Sequence, residues 1–451
     1  MSDFSRRNFI KKSLKGTAVL PLIASTPLLK PSRVLGANDR IRIALIGCGG
    51  RGSFVARGIV EEGAELTYLC DLNNERLDKA EQFIGQVQEK KPKRAKDMRT
   101  VFDSKDVDAV VIATPDHWHG PASILACQAG KDVYVEKPHA HNIYESQKMI
   151  EASKKYNRII EVGTQNRSAP YNLEALDYVK SGKLGKIGLV KVYNLKPGSA
   201  FKLGDPGVQP KDFNWDKWLG PAPQRPYHEK IFDHGWHKFW DFSGGDLVDD
   251  GIHQLDLAMM LMGDPALLGP VSCNGGRYVY AGDDAEVPDV QIINYEFENF
   301  VMTFELTNYP RYMQKTTSTI RRNDEFPYWT QNATRIEIYG SEMMLTVGRH
   351  GGGWQVTTSG GKVVEQMYGR PADFDHYKDF INSLRTRNQP SADVTIAHKA
   401  CLMAHMANIS HRLGNQKLHF DAKKERFENN KNANKFIKRE YRDKYRVPEN
   451  V

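Results

Sequence analysis

A glycine-rich loop between a buried strand and a helix constrains the fold of this 451-residue chain more than any other feature. The apolar run 41–46 is typical of a parallel strand that is covered on both faces. Gly47, Gly49 and Gly52 follow with the spacing G-x-G-x-x-G and open a helical stretch, 53–62. Gly47 permits a tight turn, Gly49 lets the backbone approach a pyrophosphate, and Gly52 lets helix and strand pack closely. Because a helix N-terminus also offers free N–H groups to phosphates, the loop predicts a dinucleotide site.

An acidic residue after the second strand indicates which dinucleotide. The run 65–70 has the pattern of that strand, and Asp71 follows it, 24 positions after Gly47. A carboxylate at this place accepts both hydroxyls of the adenosine ribose of NAD and repels the 2′-phosphate of NADP. No arginine follows Asp71 immediately, so we expect NAD rather than NADP.

Alternating strands and helices continue through the first third of the chain and predict a doubly wound parallel sheet. Further strands are expected at 109–113 and 132–135, with a helix at 120–129 between them. Ligands of such sheets bind at the carboxyl ends of the strands. The residues that follow these two strands should therefore line the cofactor crevice: Thr114, Pro115, His119, Glu136 and Lys137.

The second half contains strand-like runs, several of which alternate in polarity as antiparallel strands with one buried face do. These runs lie at 188–195, 290–296, 300–306, 335–339 and 344–347. Two long loops, at 197–226 and 309–332, are rich in glycine, proline, aromatic or polar residues. We expect them to shape a pocket for a bulky, polar ligand.

Together these motifs resemble the glucose–fructose oxidoreductase, inositol dehydrogenase and rhizopine-catabolism family, Gfo/Idh/MocA. The resemblance covers nearly the whole chain after residue 37 and is carried by the glycine loop, Thr114-Pro115 with His119, Glu136-Lys137-Pro138, and the segments 165–167, 182–185, 244–256, 376–384 and 396–413. It implies an N-terminal Rossmann domain and a C-terminal α+β domain with a largely antiparallel open sheet. That second domain carries the substrate site and often an oligomer interface, so we expect a homodimer or homotetramer.

The expected organisation has four parts. Residues 1–37 are a leader, 38–164 the Rossmann NAD(P)-binding domain, 165–420 the substrate and oligomerisation domain, and 421–451 a C-terminal tail.

The segment 249–256 carries groups suited to the oxidation of a carbinol, which needs a base, a donor for the developing alkoxide and a hydrogen aimed at the nicotinamide. Asp249 and His253 are spaced i, i+4 and would share one face of a helix, with Asp256 placed to orient the imidazole. The resemblance implies that His253 is the general base or acid. It also implies that Lys137 bonds the reacting oxygen and the cofactor ribose, and that Asp249 orients the substrate and helps the proton relay. The Lys137–Pro138 bond is a candidate cis peptide.

Further residues complete the predicted sites. Gly50, Arg51 and Gln165 join the cofactor set. The substrate set is Asn166, Arg167, Trp236, His237, Asp249 and His253. Aromatic faces stack on sugar rings, although core packing is the simpler explanation for Trp236 and His237. No metal site is expected around His253, because neither a cysteine nor a His-x-x-x-His pair lies near it.

The basic excess of the chain is concentrated in its first 37 residues. They hold seven lysines and arginines against one acid, Asp3, whereas the net charge of the whole chain is +8, so no nucleic-acid partner is implied. Arg6 and Arg7, followed by an apolar run at 16–29, resemble a twin-arginine export signal. The run is too short and interrupted for a stable membrane span. We therefore expect the twin-arginine machinery to export the folded chain to the periplasm or beyond. The low number of cysteines, five in 451 residues, fits folding in the reducing cytoplasm before export.

Three functions are compatible with these residues. The first is an NAD(P)-dependent oxidoreductase acting on a carbinol of a sugar, polyol or glycoside. The second is a glycoside hydrolase or lyase that recycles its NAD: a sugar carbon, commonly C3, is oxidised, the glycosidic bond is cleaved by elimination, and the hydride returns. The third is a non-catalytic ligand sensor, although Lys137 and His253 are both present. Because free NAD is scarce outside the cytoplasm, an exported protein should hold the cofactor tightly.

Overall fold

The apolar runs of the first half form six short strands. The structure is a computed structural model and describes residues 40–267 and 269–451. The predicted leader, residues 1–37, lies outside the described residues. The strands are β1 (Arg42–Ile46), β2 (Glu65–Cys70), β3 (Lys93–Ala95), β4 (Ala109–Ile112), β5 (Asp132–Val135) and β6 (Ile160–Val162).

These strands form one parallel sheet in the order β3-β2-β1-β4-β5-β6. The order reverses between β1 and β4, and ligands of such sheets bind in the crevice at this point. All four residues of β4 and of β5 are buried, as expected for strands covered on both faces. The helices that connect the strands are α1 (Gly50–Glu61), α2 (Asn74–Ile84), α3 (Met98–Phe102), α4 (His119–Gln128) and α5 (Ile143–Tyr156). The predicted doubly wound sheet is confirmed.

The second half forms an eight-stranded sheet. Its strands are β7 (Ile187–Leu195), β8 (Val271–Gly276), β9 (Val290–Glu296), β10 (Val301–Thr307), β11 (Arg335–Gly340), β12 (Met343–Gly348), β13 (Trp354–Thr358) and β14 (Val363–Met367). They lie in the order β14-β13-β12-β11-β7-β10-β9-β8, and only β7 and β10 are parallel. The predicted, largely antiparallel sheet is thus confirmed.

Helices cover one face of this second sheet. The remaining elements are α6 (Pro170–Lys180), α7 (Trp215–Leu219), α8 (Glu229–Asp233), α9 (Gly245–Asp249), α10 (Gly251–Leu261), α11 (Ser318–Arg322), α12 (Asp373–Thr386), α13 (Val394–Arg412), α14 (Lys431–Lys435), β15 (Phe420–Asp421) and β16 (Arg426–Phe427). α10 packs against α13 and β7, and all of its residues are buried. Within the described ranges, no helix combines the length and the apolar character that a membrane crossing requires.

The C-terminal segments pack on the first half. Tyr377 of α12 lies against Gly58 of α1, where a Cβ atom would come within 2.3 Å of the tyrosine ring. The Tyr441 hydroxyl donates to Glu145 Oε1 of α5 at 2.9 Å. The region 421–451, predicted as a tail, therefore forms part of the folded body.

Candidate active site

Four glycines shape the turn from β1 into α1. Gly47 has φ = +93°, and a Cβ atom there would lie 2.5 Å from the carbonyl oxygen of Ala113. A Cβ atom at Gly52 would lie 2.1 Å from the Gly47 carbonyl oxygen. By contrast, no atom comes within 4 Å of a Cβ built at Gly49 or Gly50. Packing therefore requires glycine at two positions, while the other two leave the backbone open to a ligand.

A cavity of about 770 Å³, called the first cavity here, opens at the carboxyl ends of β1, β2, β4 and β5. Its size is typical of sites for small molecules. The predicted cofactor residues that line it are Gly47, Gly49, Gly50, Arg51, Gly52, Asp71, Thr114, Pro115, His119, Glu136 and Lys137. Gln165 is not among its lining residues; its side-chain amide donates to the Tyr134 hydroxyl at 3.3 Å.

The first cavity offers the groups that a dinucleotide needs. α1 begins at Gly50, and its N-cap residue, Gly49, has no side chain to bond the free N–H groups of the first turn. These donors and the positive end of the helix dipole are therefore available to a pyrophosphate. Two lining residues carry buried polar atoms without a protein partner, Thr114 Oγ1 and Trp218 Nε1. Since buried polar atoms are normally hydrogen-bonded, the residues present fit NAD.

Backbone donors fix Asp71 at the end of β2. Its Oδ2 accepts from the Cys48 N–H at 2.7 Å, and its Oδ1 accepts from the Asn73 N–H at 2.8 Å. Burial raises the pKa of this carboxyl, while the two N–H groups and the charges of Arg76 and Lys96 act against the rise. Arg76 and Lys96 also line the first cavity. Positive charge therefore lies beside the predicted ribose-binding carboxylate, which sequence spacing did not reveal.

Arg51 and Glu136 form an ion pair on the wall of the first cavity. Arg51 Nε lies 2.7 Å from Glu136 Oε1, and Arg51 Nη1 lies 3.0 Å from Asp373 Oδ1. These contacts tie the start of α1 to the loop after β5 and to α12. The pair therefore stabilises the wall that a cofactor would contact.

His119 connects the loops that follow β4 and β5. Its ring nitrogens lie 2.6 Å from the Pro138 carbonyl oxygen and 2.7 Å from the Thr114 carbonyl oxygen. Burial lowers the pKa of this imidazole. The Lys137–Pro138 peptide bond is cis, as the sequence predicted.

Lys137 forms an ion pair with Asp249, which comes from the second half of the chain. Its Nζ donates to Asp249 Oδ1 and to the Asp249 carbonyl oxygen, each at 2.7 Å. Burial alone would raise the pKa of Asp249, but the charges of Lys137, His237 and Lys196 hold it well below the ordinary value. Burial likewise disfavours the ammonium of Lys137, yet its pKa is raised, chiefly by the negative charge of Asp249. The pair is therefore charged at neutral pH.

Asp116 is a buried carboxyl beside this pair that the sequence analysis missed. It is 2% exposed, lines the first cavity, and accepts a hydrogen bond from the Ser243 hydroxyl at 2.5 Å. Burial and the negative charge of Asp249 raise its pKa well above the ordinary value. Asp116 therefore keeps its proton to a higher pH than an exposed aspartate does, although Lys137 and the Ser243 hydroxyl oppose this rise.

A second cavity, of about 600 Å³, adjoins the first. Both long loops that the sequence marked contribute to its lining, through residues 197–201 and 313–315. His237 lines it, and burial lowers the pKa of this imidazole although Asp249 opposes the shift. Asp249 lines both cavities. The Lys137–Asp249 pair thus lies where the two cavities meet.

Ion pairs give the second cavity a charged wall. Lys196 lies 3.1 Å from Asp246 Oδ1 and 2.8 Å from Asp250 Oδ2. Lys315 lies 2.9 Å from the same Asp250 oxygen. Burial would raise the pKa of Asp250, but Lys196, Arg349 and Lys315 hold it well below the ordinary value. Such a wall suits a ligand rich in hydroxyl groups better than an apolar one.

The helix that the i, i+4 spacing of Asp249 and His253 assumes is interrupted at Asp250. α9 ends at Asp249 and α10 begins at Gly251. At Gly251 the chain packs so closely on Phe304 of β10 that a Cβ atom would lie 2.7 Å from its ring. His253 is buried, its Nδ1 has no hydrogen-bond partner, and it lines neither cavity. Burial and the positive charges of Arg349 and Lys137 hold its pKa well below the ordinary value, so its imidazole is neutral.

The geometry gives no support to two other predicted contacts. Asp256 does not orient His253, because Arg167 Nε lies 2.8 and 2.9 Å from its two carboxylate oxygens. The same guanidinium bonds both oxygens of Asp264, at 2.9 and 2.8 Å. The Arg167 guanidinium is therefore engaged by these two carboxylates. Neither Arg167 nor Asn166 lines either cavity. Their predicted contact with substrate is not seen.

Comparison with known sequences identifies the family. Residues 41–164 match the Gfo/Idh/MocA oxidoreductase family with its NAD-binding Rossmann fold. Residues 200–274 and 356–447 match the C-terminal α/β domain of the same oxidoreductase family. The chain belongs to the Gfo/Idh/MocA family.

Curated proteins similar to this chain include a glycosyl hydrolase and an inositol dehydrogenase. The chain is 33% identical over 205 residues to glycosyl hydrolase family 109 protein 2 of Shewanella sp. (strain ANA-3), covering 42% of this chain and 45% of that protein. It is 27% identical over 228 residues to scyllo-inositol 2-dehydrogenase (NAD(+)) of Bacillus subtilis (strain 168), covering 50% of this chain and 55% of that one. The matches thus span about half the length of these relatives.

Solved structures of the family share the fold. The WlbA dehydrogenase from Bordetella pertussis, in complex with NADH and UDP-GlcNAcA, superimposes with a TM-score of 0.61 at 20% identity. The match covers 85% of this chain and 99% of that one. At this identity the likeness establishes the architecture of the two sheets.

The Gfo/Idh/MocA motifs do not reveal every residue around the first cavity. Trp236, predicted to bind substrate, lines this cavity instead of the second. Further lining residues that the sequence analysis missed are Asp116, Trp118, Trp218, Phe232 and Tyr445. Asp116 follows Thr114-Pro115 directly, so its place after β4 was a usable signal. Tyr445 comes from the end of the chain, and no sequence pattern connects it with the glycine loop.

Proposed function

We propose that this protein is an NAD-dependent oxidoreductase that oxidises a carbinol of a sugar, polyol or glycoside. The observation that carries the proposal is the Lys137–Asp249 ion pair, 2.7 Å long, at the junction of the two cavities. The first cavity suits a dinucleotide and the second a ligand rich in hydroxyl groups. When bound, NAD supplies the hydride acceptor.

Three side chains handle the proton in this proposal. The Lys137 ammonium donates to the reacting oxygen and stabilises negative charge that develops there. Asp249 holds that ammonium and orients a substrate hydroxyl. His253 lines neither cavity, so in this proposal it is the final acceptor of the hydroxyl proton, which reaches its unpartnered Nδ1 through a relay that Asp249 helps to form rather than by direct contact with substrate. His237, a second neutral imidazole that lines the second cavity, binds substrate hydroxyls.

The cofactor preference and its tight binding are also proposals. The ionised form of Asp71 would repel a 2′-phosphate and bond the ribose hydroxyls of NAD. Tight binding follows from the proposed export, which rests on the paired Arg6 and Arg7. The proposed destination is the periplasm or the exterior.

A homodimer or homotetramer is proposed through the open face of the eight-stranded sheet. Ile292 of β9 and Val301 of β10 are 40% and 38% exposed on that sheet. The division into parts at residues 37 and 164 is likewise a proposal. Neither the oligomeric state nor the domain boundaries change the chemistry proposed for the site.

Redox-neutral cleavage of a glycoside is the second candidate function. It is favoured by the match to a glycosyl hydrolase family 109 protein at 33% identity. In this alternative a sugar carbon would give a hydride to bound NAD, and loss of a proton from the neighbouring carbon would expel the leaving group. Water would then add to the double bond in a hydrolase, but not in a lyase, and the hydride would return to the ketone. The requirements at Lys137 and Asp249 are the same, whereas no NADH accumulates.

A substrate panel distinguishes the two candidates. The purified full chain is incubated with sugars, polyols and nitrophenyl glycosides plus NAD, while NADH and released nitrophenol are both recorded. An oxidoreductase accumulates NADH, whereas the recycling enzyme releases nitrophenol without net NADH. Lys137→Ala is the inactive control in both cases. If neither product forms with any compound, and denatured protein releases no nicotinamide dinucleotide, both proposals fail.

A further inference from the structure

A second cluster of titratable side chains lies where α12 meets the edge strand β6. Glu161 of β6 and His376 and Asp379 of α12 each direct one oxygen or nitrogen atom inward, and these atoms lie within 4.8 Å of one another. Glu161 and His376 are 0% exposed, and Asp379 is half-buried. None of the three lines either cavity, so the cluster is separate from the proposed active site.

The Glu161 carboxylate has no adequate partner. Both of its oxygens are buried and neither accepts a hydrogen bond. Its nearest charged partner is the His376 imidazole, with Nδ1 3.0 Å from Oε1. The other charges that act on it, those of Asp379 and Asp393, are negative and together with burial raise its pKa well above the ordinary value. No lysine or arginine within the described ranges forms an ion pair with Glu161, so an ionised carboxylate here needs a positive charge from elsewhere.

The His376 ring is oriented as a ligand. Its Nε2 lies 3.0 Å from the Val162 carbonyl oxygen, which can only accept a hydrogen bond. Nε2 therefore carries the proton, and Nδ1 presents its lone pair to the two carboxylates. In protein metal sites, a bond from the far ring nitrogen to a carbonyl fixes the tautomer of a ligating histidine in this way.

One hydroxyl group competes for the same lone pair. The Ser168 Oγ lies 2.8 Å from His376 Nδ1 and 2.9 Å from the Ser391 Oγ. Ser168 can donate to either atom. It therefore keeps a partner in Ser391 when Nδ1 is used for another bond.

We propose that Glu161, His376 and Asp379 bind a divalent transition-metal cation, for which Zn²⁺ is the probe. One imidazole nitrogen and two carboxylate oxygens are ligands that Zn²⁺ accepts. Ligands at about 2.1 Å from the metal stand roughly 3.4 Å apart in a tetrahedron. Atoms already within 4.8 Å of one another reach that spacing by small side-chain rotations. The cation supplies the positive charge that the buried carboxylate lacks.

The position of the cluster indicates a structural role. The cation would join β6 to α12, and Asp373 at the start of α12 bonds Arg51 beside the glycine loop at 3.0 Å. The His376 ring also packs edge-on against Tyr134 of β5, with centroids 5.7 Å apart. Metal binding would therefore stabilise the fold, and would do so without a contact to substrate or cofactor.

The test measures Zn²⁺ binding directly. The full chain, without a histidine tag, is stripped with a chelator, dialysed against micromolar Zn²⁺ and analysed for bound metal, and its Tm is recorded with and without Zn²⁺. The test variant is Glu161→Gln, which keeps the side-chain volume. The control is Glu425→Gln, because Glu425 also faces a buried histidine, His398 at 3.2 Å, but belongs to no three-residue cluster among the described residues.

We expect one Zn²⁺ per chain and a higher Tm in the wild type and in Glu425→Gln. Glu161→Gln should bind at least about 100-fold more weakly, since even outer-shell changes cost about 10–100-fold. Asp379→Asn, at a half-buried position, should show the same loss and serves if Glu161→Gln does not fold. The proposal is overturned if the wild type binds no Zn²⁺, which would indicate a protonated Glu161 bonded to His376. Equal binding by the wild type and both cluster variants overturns it as well.

Discussion

The two cavities that meet at Asp249 are shaped by different parts of the chain. Backbone shapes the glycine-loop end of the first: a turn with Gly47 at φ = +93°, the start of α1, and the ends of four parallel strands. Side-chain ion pairs and two long loops form the second, in which Lys196 and Lys315 hold Asp250. A site built by backbone resists change, because altering it moves strands. A site built by side chains can change its ligand by single substitutions, so we expect cofactor use to be the more fixed property and substrate choice the more variable one.

The largest effect is expected where the two cavities meet. Lys137→Ala removes the ammonium that donates to the reacting oxygen, and we predict a fall in kcat of about 10²–10⁴-fold. Steady-state kinetics on the substrate found in the panel measures it. Lys180→Ala, at an exposed position on α6, is the control and should leave kcat unchanged. If the Lys137→Ala enzyme kept full activity, Lys137 would not be the group that acts on the reacting oxygen where the two cavities meet.

Substitutions in the glycine loop separate packing from ligand approach. At Gly52 a new Cβ atom meets the Gly47 carbonyl at 2.1 Å, so Gly52→Ala should lower the free energy of unfolding by about 1–3 kcal/mol. At Gly49 the Cβ atom meets nothing within 4 Å. Gly49→Ala should therefore fold normally and bind NAD about tenfold more weakly. Urea unfolding and NAD titration of both variants check this contrast, which equal effects on stability would contradict.

The buried acid of the first cavity predicts a pH dependence. Burial and Asp249 raise the pKa of Asp116 in the folded chain, so the folded state binds a proton that the unfolded state releases above pH about 4. The wild type should then lose up to about 1.4 kcal/mol of stability per pH unit from there up to the folded pKa.

Asp116→Asn cannot ionise and lacks this loss. Its stability relative to the wild type should therefore rise with pH above about 4. Urea unfolding of both proteins between pH 4 and pH 8 measures the difference. A difference that does not vary with pH would show that Asp116 is ionised in the folded state.

A smaller effect is expected at the ribose end of the first cavity. Asp71→Asn removes the charge that repels a 2′-phosphate and leaves Arg76 and Lys96 beside it. We predict that the ratio of NADP to NAD affinity rises about tenfold. Asp97→Asn is the matched control, since Asp97 lines the same cavity but pairs with Lys217 at 2.8 Å. Titration of both variants with NAD and with NADP measures this ratio of affinities. An unchanged ratio in Asp71→Asn would show that Asp71 does not determine the preference for NAD.

The smallest effect belongs to the second cavity. Lys315 is partly exposed and bonds Asp250 at 2.9 Å. Since a partly exposed ion pair contributes little, Lys315→Met should raise KM for the sugar by roughly threefold and leave kcat unchanged. Kinetics over a range of substrate concentrations measures both constants. A fall in kcat with constant KM would place Lys315 among the groups that act on the reacting atoms.

Local patterns explain why the first half was readable from sequence. β1, the glycine loop and Asp71 follow one another within 30 residues, and each has a spacing set by backbone geometry. Lys137 was found in the same way, because it is the second residue after β5. In the second sheet, β7, β9 and β10 were predicted within two residues. The strands β8, β13 and β14 of this sheet were missed, as were the three-residue strands β3 and β6 of the first sheet. β14 is exposed along most of its length and shows no alternation.

The chemistry of the second half depended on partners distant in sequence. Arg167 was assigned to substrate, but Asp256 and Asp264 occupy its guanidinium. The helix is interrupted at Asp250, and Gly251 packs closely on Phe304; the i, i+4 spacing showed neither feature. These residues, separated by 53 to 97 positions, meet only in the folded chain. Ion pairs and packing of this kind are therefore invisible to motif analysis.

The most direct test of the account is a crystal structure with NAD and the sugar or polyol identified by the panel. We predict the dinucleotide along the glycine loop and the sugar in the second cavity. The reacting hydroxyl should lie within hydrogen-bond distance of Lys137 Nζ, and its carbon about 3–3.5 Å from the nicotinamide C4. A sugar bound away from the Lys137–Asp249 pair, or a nicotinamide ring pointing out of the first cavity, would contradict the account.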